Sequence, residues 1–504
     1  MGAKCSVEMP LPFPYNPLAM RILWVDDEIE GLRPHILFLE REGIEVVTFD
    51  RPEDALEALK VTSFDLVILD YRMPGMDGLT TLREVRKLAP HVPVALVTMV
   101  TDREVIEESV AEDVFDYIVK PVQPSQVLAL IKRLEAEKIK SRLKGRKMAQ
   151  AYAELNRLPM DYHGWLQRAR LLAELRYQEG LETWADEMRA ENQEFARWVE
   201  RNYVNVLHDS TLDWSHTILK KRVLPVLRER KTALFIFDNF RLDQFVALSH
   251  RLPSPARVEQ HLYMAILPTA TPFARNALYA GLLPYDIERR HPGWTLDNRH
   301  ERELLEEFLH EHGLGSLKHV VHKINDLGAF QEVPVGQVPF EVFSVNFIDL
   351  LSHLRLEVPS LKDLTPDEGA FMRWAEYVIQ EARFLQKVER LLDLDYTVFL
   401  TTDHGWVEGR DALVVYGGGE LTPGLRFKFG DSVRISDRGG ILWTHLPEYG
   451  LPTNRGSRLL LATVYHYLVY PSDVRRFEKT YRGGIYHGGV SLEEMCLPLL
   501  KLER

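Results

Sequence analysis

The sequence is poor in cysteine, with only Cys5 and Cys496 among 504 residues. Two cysteines cannot build the disulfide framework of a small secreted protein, so the composition favours a reducing, cytoplasmic compartment. The sequence has no run of about 18 apolar residues, which argues against a transmembrane helix and predicts no membrane insertion. The first twenty residues lack the apolar segment of a secretory signal peptide, and we interpret residues 1–20 as a disordered leader.

Positive charge is in the minority. The chain has 62 lysine and arginine residues against 74 aspartate and glutamate residues, which gives a formal net charge of -12. This balance disfavours a protein that coats nucleic acid, although a local basic patch can still bind phosphates. A chain of 504 residues is longer than one that usually folds around a single hydrophobic core, so we predict two or three domains.

Apolar stretches alternate with amphipathic ones from residue 21 onward. The spacing predicts helices at about 31–42, 53–60, 79–88 and 103–112, with a longer one beginning near Ser125. Strands and helices in alternation predict an α/β fold with a doubly wound, five-stranded parallel sheet over residues 21–135. The predicted strands lie in "RILWVDD", "EVVTFD", "DLVILDY", "PVALVTM" and "DYIVKP".

Chemically active side chains stand where these strands end. Asp26 and Asp27 close the first strand, Asp70 the third, Thr98 the fourth and Lys120 the fifth. Doubly wound sheets bind their ligands at that edge, and converging carboxylates suit a hard cation such as Mg²⁺. An isolated aspartate there is more often a helix cap, but matches at successive strand ends favour a site.

This pattern resembles the receiver domain of two-component response regulators. The resemblance implies a sensor histidine kinase as partner and a homodimer formed on phosphorylation. It also implies Asp70 as the phosphoacceptor, Asp26, Asp27 and Asp70 as the magnesium site, Thr98 and Lys120 as the switch pair, and Tyr117 as an aromatic toggle.

Residues 136–230 contain few glycines or prolines and show helical apolar spacing. They predict a helical-bundle linker between two α/β domains. The stretch "KIKSRLKGRK", residues 138–147, carries six basic residues and no acidic one. It is either a solvated helix face or a surface that binds phosphates or a partner.

A second set of strand-like runs spans residues 231–504, and polar residues again follow them. Asp238, Thr271 and the pair Asp403-His404 come as apolar runs end. Within "DLLSH", Asp349 precedes His353 by four residues, which places both on one face of a helix.

The last candidate ligand is His487, which stands before a glycine pair. Each of these residues alone has a commoner explanation as a turn or a cap. Taken as an ordered series, the three histidines and three aspartates form a mixed nitrogen and oxygen ligand set suited to two ions of zinc or manganese.

The stretches "FDNFRLDQ", "LPTATPFARNALYAGLLP", "TTDHG" and "YHGGVSLEEMCLP" resemble the PglZ domain of the alkaline phosphatase superfamily. The resemblance implies an alkaline-phosphatase-like α/β domain with two zinc ions and a threonine nucleophile. One zinc would be held by Asp349, His353 and His487, and the other by Asp238, Asp403, His404 and the Thr271 oxygen. Thr271 is implied as nucleophile by its distance from "GLLP", and Thr269 as a structural neighbour.

Four further residues are candidates for contacts with phosphate. Arg275 and Asn276 lie one helical turn past Thr271, where they can bind phosphate or merely provide surface polarity. The alternation in "GLRFKFG" places Arg426 and Lys428 on one face of a strand, either as further phosphate contacts or as a solvated sheet face.

A receiver, a helical linker and a PglZ domain in one chain resemble PorX-type response regulators. The leading hypothesis is a zinc-dependent phosphodiesterase that acts on nucleotides or short oligonucleotides under the control of Asp70. One alternative is a signalling adaptor that docks a transcriptional or secretion partner without essential catalysis. Another is a phosphomonoesterase or sulfatase, since fold does not fix the substrate.

Overall fold

The structure is a computed structural model that describes residues 20–99, 114–252, 257–417, 424–435 and 439–504. The chain divides into two compact units, Met1–Tyr152 and Ala153–Arg504. The predicted helix at 103–112 and residues 1–19 of the predicted leader lie outside the described residues. No helix in the described ranges is long and apolar enough to cross a membrane.

The first unit contains a five-stranded parallel sheet with the order β2-β1-β3-β4-β5 within the described residues. This order confirms the predicted doubly wound fold, because the chain builds outward from β1 in both directions. Apolar clusters on both faces bury the central strands almost completely. The strands are β1 Arg21–Val25, β2 Glu45–Phe49, β3 Leu66–Asp70, β4 Val94–Thr98 and β5 Asp116–Val119. The helices are α1 Arg33–Arg41, α2 Pro52–Val61, α3 Gly78–Leu88 and α4 Pro124–Arg157.

Helix α4 is 34 residues long and continues past Tyr152. It ends just before Leu158-Pro159, because a residue that precedes a proline disfavours helical backbone. The basic stretch 138–147 lies inside this helix. Of its cations, Lys138 forms an ion pair of 2.5 Å with Asp65 in the first unit.

The helices that open the second unit pack into the same body as its large sheet. Residues 153–230, most of the predicted linker, belong to the unit that continues to Arg504. Their apolar side chains, such as Trp165, Phe195 and Val199, are fully buried. The boundaries 136–230 and 231–504 stay predictions about domain organisation. The helices are α5 Tyr162–Glu179, α6 Ala185–Leu207, α7 Ser215–Ile218 and α8 Leu224–Leu227.

The second unit contains a six-stranded mixed sheet with the order β7-β19-β10-β6-β9-β8 within the described residues. Strands β10, β6, β9 and β8 run parallel, and β19 is antiparallel to both β10 and β7. Apolar clusters cover both faces, so β6, β9 and β10 are continuous buried runs. These strands are β6 Thr232–Phe237, β7 Arg257–Met264, β8 His319–Ile324, β9 Phe340–Val345, β10 Thr397–Thr402 and β19 Cys496–Glu503.

The remaining elements surround this sheet. The helices are α9 Leu242–Ser249, α10 Thr271–Ala280, α11 Pro284–Arg290, α12 Glu301–Glu311, α13 Leu327–Glu332, α14 Phe347–Glu357, α15 Pro359–Leu364, α16 Glu368–Glu381, α17 Phe384–Asp393, α18 Val474–Tyr481 and α19 Leu492–Met495. Small sheets pair β11 with β18, β12 with β14 and β17, and β16 with β13 and β15. Their strands are β11 Val407–Glu408, β12 Asp411–Tyr416, β13 Phe427–Gly430, β14 Arg434–Ile435, β15 Gly440–Trp443, β16 Arg458–Ala462, β17 His466–Val469 and β18 Ile485–Tyr486.

His216 on α7 is expected to make the second unit sensitive to acid. Burial, together with the charges of Lys221 and His208, lowers the pKa of His216 to about 4. The unfolded chain binds a proton at about pH 6.5 and the folded chain only near pH 4, so stability is lost as the pH falls through this window. The wild type should lose roughly 3 kcal/mol of unfolding free energy through His216 between pH 6.5 and 4. The His216→Leu variant should not show this loss.

Urea unfolding of the full chain at several pH values measures this effect as the difference between wild type and variant. The matched control is His163→Leu, because His163 is exposed on α5. Parallel pH profiles for wild type and His216→Leu would contradict the prediction.

Candidate metal centres and active site

Three carboxylates meet at the carboxyl end of the first sheet, as predicted. Oxygens of Asp26, Asp27 and Asp70 lie within 4.8 Å of one another. Lys120 Nζ donates to Asp70 Oδ2 over 2.8 Å and lies 3.6 Å from Asp26 Oδ2. Burial raises the pKa of Asp70 despite this hydrogen bond, and the charges of Asp26 and Asp27 add to the increase. Three clustered carboxylates with one lysine match the oxygen ligands that Mg²⁺ prefers.

The predicted switch residues lie on the two strands beside this cluster. Thr98 is buried at the end of β4, which pairs with β3 so that Val97 lies opposite Asp70. Its backbone carbonyl accepts the amide of Lys120 over 2.9 Å. Tyr117 is half-buried on β5. Thr98 and Lys120 therefore share one edge of the sheet with the candidate phosphoacceptor.

A buried metal group, defined as Asp238, Asp403 and His404, lies at the carboxyl ends of β6 and β10. One ligand atom from each residue lies within 4.8 Å of the others, and all three side chains are buried. His404 Nε2 is 3.6 Å from Asp238 Oδ1 and 3.7 Å from Asp403 Oδ2. Adjacent parallel strands bring these residues together although about 165 positions of chain separate Asp238 from Asp403.

Thr271 is the first residue of α10 and faces this buried metal group. Its Oγ1 lies 3.2 Å from Asp238 Oδ1 and 3.2 Å from His404 Nε2. Thr271 is 9% exposed, slightly more than the fully buried Asp403 and His404. The amino end of a helix also favours negative charge, whether on an alkoxide or on a phosphate.

A second, partly exposed metal group consists of Asp349, His353 and His487. Asp349 and His353 lie one turn apart on α14, as the spacing predicts, with His353 Nε2 3.2 Å from Asp349 Oδ2. His487 Nε2 lies 3.6 Å from Asp349 Oδ1. The ring of His487 stacks on that of His404 with centroids 4.2 Å apart, so the two metal groups adjoin.

The charges of the ligand residues in the two metal groups are compatible with bound cations. Burial and the charges of Asp403 and Asp349 raise the pKa of Asp238, although Arg275 opposes the increase. Burial also lowers the pKa of His404 to about 4, which keeps the imidazole neutral and able to ligate a metal. Three carboxylates packed around the neutral imidazole of His404 need more positive charge than one arginine supplies, and the nitrogen and oxygen donors suit divalent ions.

Arg275 has a different position from the one predicted. We expected it to bind phosphate, but its side chain is fully buried behind the metal group. Its guanidinium pairs with Asp238, donates through Nε to Asp403 Oδ2 over 3.0 Å, and lies 3.5 Å from Glu301 Oε1. Its Nη1 donates to Asn346 Oδ1 over 2.5 Å. The sequence around Arg275 does not predict Glu301 or Asn346 as partners, because both residues come from distant segments.

Thr269 has the structural role expected of it. The side chain is fully buried, and its hydroxyl donates to the Gly489 carbonyl over 3.0 Å. The same oxygen accepts the Gly488 amide over 3.0 Å, which fastens the strand end before Thr271 to the turn after His487. Gly488 has a φ of +112°, so a side chain there would be strained.

Asn276 lies away from the predicted substrate contact. Its side chain is fully buried, and its Nδ2 donates to the carbonyls of Pro272, Trp294 and Asp297 over 2.8–3.0 Å. These bonds hold the loop that follows α11 against α10. Asn276 follows Thr271 by five residues, which puts the two side chains roughly 140° apart around the helix, so proximity in sequence did not bring the amide to the site.

The structure buries Arg426 and Lys428, which we expected on a strand face near phosphate. Arg426 lies just before β13 and is fully buried; its guanidinium donates to Glu494 and to the His466 carbonyl over 2.5 Å each. Lys428 is 2% exposed, its Nζ lies 5.0 Å from the centre of the Tyr470 ring, and burial lowers its pKa to about 8. Arg426 and Lys428 do alternate with apolar residues as the sequence indicates, but other parts of the second unit cover both faces of this strand.

Sequence comparison finds relatives of the first unit. The cyclic di-GMP phosphodiesterase response regulator RpfG of Xanthomonas campestris is 34% identical over 25% of this chain and 35% of its own. The DNA-binding transcriptional regulator NtrC of Escherichia coli is 34% identical over 22% of this chain and 24% of its own. The chain therefore covers about a third or less of these curated relatives.

Among solved structures, the receiver domain protein of Methanospirillum hungatei is 31% identical and covers 24% of this chain and 98% of its own, with a TM-score of 0.23. The Vibrio cholerae chemotaxis protein CheY4 is 29% identical and covers 23% of this chain and 98% of its own, with a TM-score of 0.22.

Family comparison covers both units. The response regulator receiver domain matches residues 22–132, which contain the acidic cluster around Asp70. The BREX system PglZ alkaline phosphatase-like domain matches residues 218–502, more than half of the chain, and this match contains both metal groups and Thr271. The chain thus belongs to the PglZ family of alkaline phosphatase-like proteins and carries a response regulator receiver domain at its amino-terminal end.

Proposed function

We propose that this chain is a phosphorylation-controlled, zinc-dependent phosphodiesterase that acts on nucleotides or short oligonucleotides. The observation that carries the proposal is the position of Thr271 Oγ1, 3.2 Å from both Asp238 Oδ1 and His404 Nε2. A hydroxyl between an acidic and an imidazole group, beside a second set of metal ligands, suits nucleophilic displacement at phosphorus.

Each residue has a defined part in the proposed reaction. Thr271 Oγ1 loses its proton to solvent and attacks the phosphorus in line with the leaving oxygen. The bond from phosphorus to Oγ1 forms as the bond to the leaving oxygen breaks, and that oxygen takes a proton from solvent and departs as the alcohol. A water molecule then attacks the phosphorus and leaves its oxygen on the phosphate, while the bond to Oγ1 breaks and Oγ1 takes up a proton to restore the hydroxyl. Two divalent ions, one held by each metal group, would lower the pKa of the hydroxyl and stabilise the leaving oxygen. Zinc fits the mixture of histidine and carboxylate ligands.

The surroundings of Arg275 favour a diester over a monoester. A monoester carries two negative charges on its phosphoryl group, and a guanidinium fork commonly binds the extra oxygen. Here the Arg275 guanidinium is fully buried among Asp238, Asp403 and Glu301, so it is committed to protein carboxylates. A diester carries only one negative charge on its phosphoryl group, so it needs no guanidinium for an extra oxygen and suits this site better than a monoester.

A comparison of substrates tests the proposed reaction. The purified full chain, loaded with zinc, should hydrolyse bis-nitrophenyl phosphate and a short oligonucleotide faster than nitrophenyl phosphate or nitrophenyl sulfate. Hydrolysis of the monoester alone, or of the sulfate alone, would replace the phosphodiesterase proposal by the corresponding esterase. If zinc binds but no ester is cleaved, the adaptor alternative is supported instead.

The acidic cluster supports phosphorylation of Asp70 by a sensor histidine kinase, with Mg²⁺ held by Asp26, Asp27 and Asp70. We propose that phosphorylation produces a homodimer through α4 and the predicted helix at 103–112, which lies outside the described residues. Acetyl phosphate with Mg²⁺ should convert the wild type from monomer to dimer in analytical ultracentrifugation. The Asp70→Asn variant should stay monomeric, because an amide cannot accept the phosphoryl group.

The control for this prediction is Asp54→Asn, an exposed carboxylate on α2 of the same unit. That variant should still dimerise. If Asp70→Asn dimerised under the same treatment, phosphorylation of Asp70 would not be the cause.

A further inference from the structure

Two polar side chains from α5 and α6 lie inside the second unit among residues of the PglZ match. Arg176 on α5 is 4% exposed and Asn192 on α6 is fully buried, yet both helices lie before residue 218, where the match begins. They belong to a buried polar cluster, which we define as Arg176, Asn192, Arg241, Asp243, Glu368 and Glu493.

The first connection runs from Arg176 to Arg241 through one carboxylate. Arg176 Nη2 and Arg241 Nη1 both donate to Glu368 Oε1 over 2.5 Å. Although burial opposes ionisation, these two guanidinium groups lower the pKa of Glu368 to about 2. Arg241 also pairs with Asp243, and Arg176 Nη1 lies 3.7 Å from both Asp243 Oδ2 and Glu493 Oε1. Removing Arg176 would therefore leave buried negative charge with less compensation.

The second connection runs from Asn192 to the start of α19. Asn192 Nδ2 donates to Glu493 Oε2 over 2.8 Å, and its Oδ1 accepts the Leu492 amide over 2.7 Å. Tyr465 donates to the other oxygen of Glu493 over 3.0 Å. An amide that both donates and accepts fixes this turn in position and orientation.

The cluster contacts the loops that carry the metal ligands. Arg241 lies three residues after Asp238, and its guanidinium stacks 4.5 Å from the centre of the Trp406 ring. Gly405, directly after His404, donates to the Glu494 carbonyl over 3.2 Å. A Cβ on Gly405 would lie only 2.0 Å from the Glu493 carbonyl, so this loop fits tightly between Arg241 and α19.

The third ligand loop is reached through Glu494. Its Oε1 accepts the Gly489 amide over 2.9 Å, two residues after His487. Displacement of α19 would therefore move the turns that follow His404 and His487 together. Groups that orient metal ligands in this way typically change metal affinity by about 10- to 100-fold when they are removed.

We propose that Arg176 and Asn192 are positioning residues for the two metal groups, so that the helices α5 and α6 are part of the hydrolase rather than a passive connector. Arg176 acts through Glu368 and Arg241 on the loop after Asp238. Asn192 acts through the start of α19 on the loops after His404 and His487. The inference concerns metal binding and does not depend on which ester is cleaved.

Metal binding by the full chain tests this inference without using catalysis. The variants are Arg176→Met and Asn192→Leu, with Arg170→Met and Asn202→Leu as controls on the same two helices. Arg170 is exposed and pairs with Glu174, and Asn202 donates to a carbonyl of its own helix. Zn²⁺ affinity is measured by competition with a chromophoric chelator, and ligand geometry by the visible spectrum of the Co²⁺-substituted protein.

We expect both test variants to bind Zn²⁺ about 10- to 100-fold more weakly than wild type and to show an altered Co²⁺ spectrum. The controls should match wild type, and Arg176→Lys should recover part of the affinity because it keeps the charge. The isosteric Asn192→Asp variant covers the case in which Asn192→Leu does not fold.

Three results would overturn the inference. If the variants lost thermal stability but kept the Zn²⁺ affinity and Co²⁺ spectrum of wild type, Arg176 and Asn192 would be structural residues only. A wild type that binds neither metal would overturn the inference and the proposed function together, whereas normal binding by all variants would overturn the inference alone.

Discussion

Thr271→Ala is expected to lower kcat for diester hydrolysis by at least about 10³-fold, because the variant lacks the oxygen that attacks phosphorus. Its metal content should stay close to that of wild type. Asp238, Asp403 and His404 would still hold one ion without it, and Asp349, His353 and His487 would hold the other. The measurement combines steady-state hydrolysis of bis-nitrophenyl phosphate with quantification of bound zinc in the same preparation.

Thr271→Ser is the matched control, since it keeps the hydroxyl and should retain measurable turnover. Thr269→Val tests the neighbouring threonine, whose hydroxyl bonds to Gly488 and Gly489. It should lower stability while leaving the nucleophile in place. Normal turnover by a zinc-loaded Thr271→Ala variant would rule out the covalent mechanism.

Arg275→Met is expected to destabilise the metal-free second unit by about 3–5 kcal/mol. The substitution leaves Asp238 and Asp403 buried without the guanidinium that contacts both, and uncompensated buried charge has a penalty of this size. Bound zinc should reduce the difference, because the ion supplies positive charge beside Asp238 and Asp403 in place of the guanidinium, so binding stabilises the variant more than the wild type. Urea unfolding of the second unit, with and without zinc, measures both effects.

The matched control for Arg275 is Arg289→Met on the neighbouring helix α11. Arg289 is exposed and forms an ion pair of 3.7 Å with Asp286, so its loss should change stability by less than about 1 kcal/mol. Equal stabilities for Arg275→Met and Arg289→Met would show that the buried carboxylates do not need the guanidinium. Stability restored by zinc together with lost turnover would instead separate the structural role of Arg275 from a role in the reaction.

Short stretches of sequence were sufficient to identify the candidate metal ligands. Asp26, Asp70, Asp238 and the Asp403 pair follow apolar runs directly, and parallel strands gather such residues at one edge of a sheet. The spacing between Asp349 and His353 likewise placed both on one turn of α14, as found. The two sheets and the candidate ligands were therefore predictable from short stretches, and the resemblance to PglZ domains implied how the ligands divide into two groups.

Contacts between distant segments were not predictable. Arg275 follows Thr271 by one turn, but its partners come from β6, β10, α12 and the end of β9. Arg426 and Lys428 alternate as a solvated or binding face would, yet other parts of the second unit cover both. Burial depends on what packs against an element, and a single strand or helix does not specify its neighbours.

The sequence by itself determined the two α/β sheets and the acidic cluster around Asp70, because period and spacing act within one element, whereas the membership of the two metal groups was implied by the resemblance to PglZ domains. Only the tertiary structure decided that Arg275 compensates buried carboxylates, that Asn276 holds a loop, and that Arg176 and Asn192 lie buried beside Glu368 and α19. Those outcomes depend on charges and hydrogen bonds between segments up to 301 residues apart, and these exist only after the chain has folded.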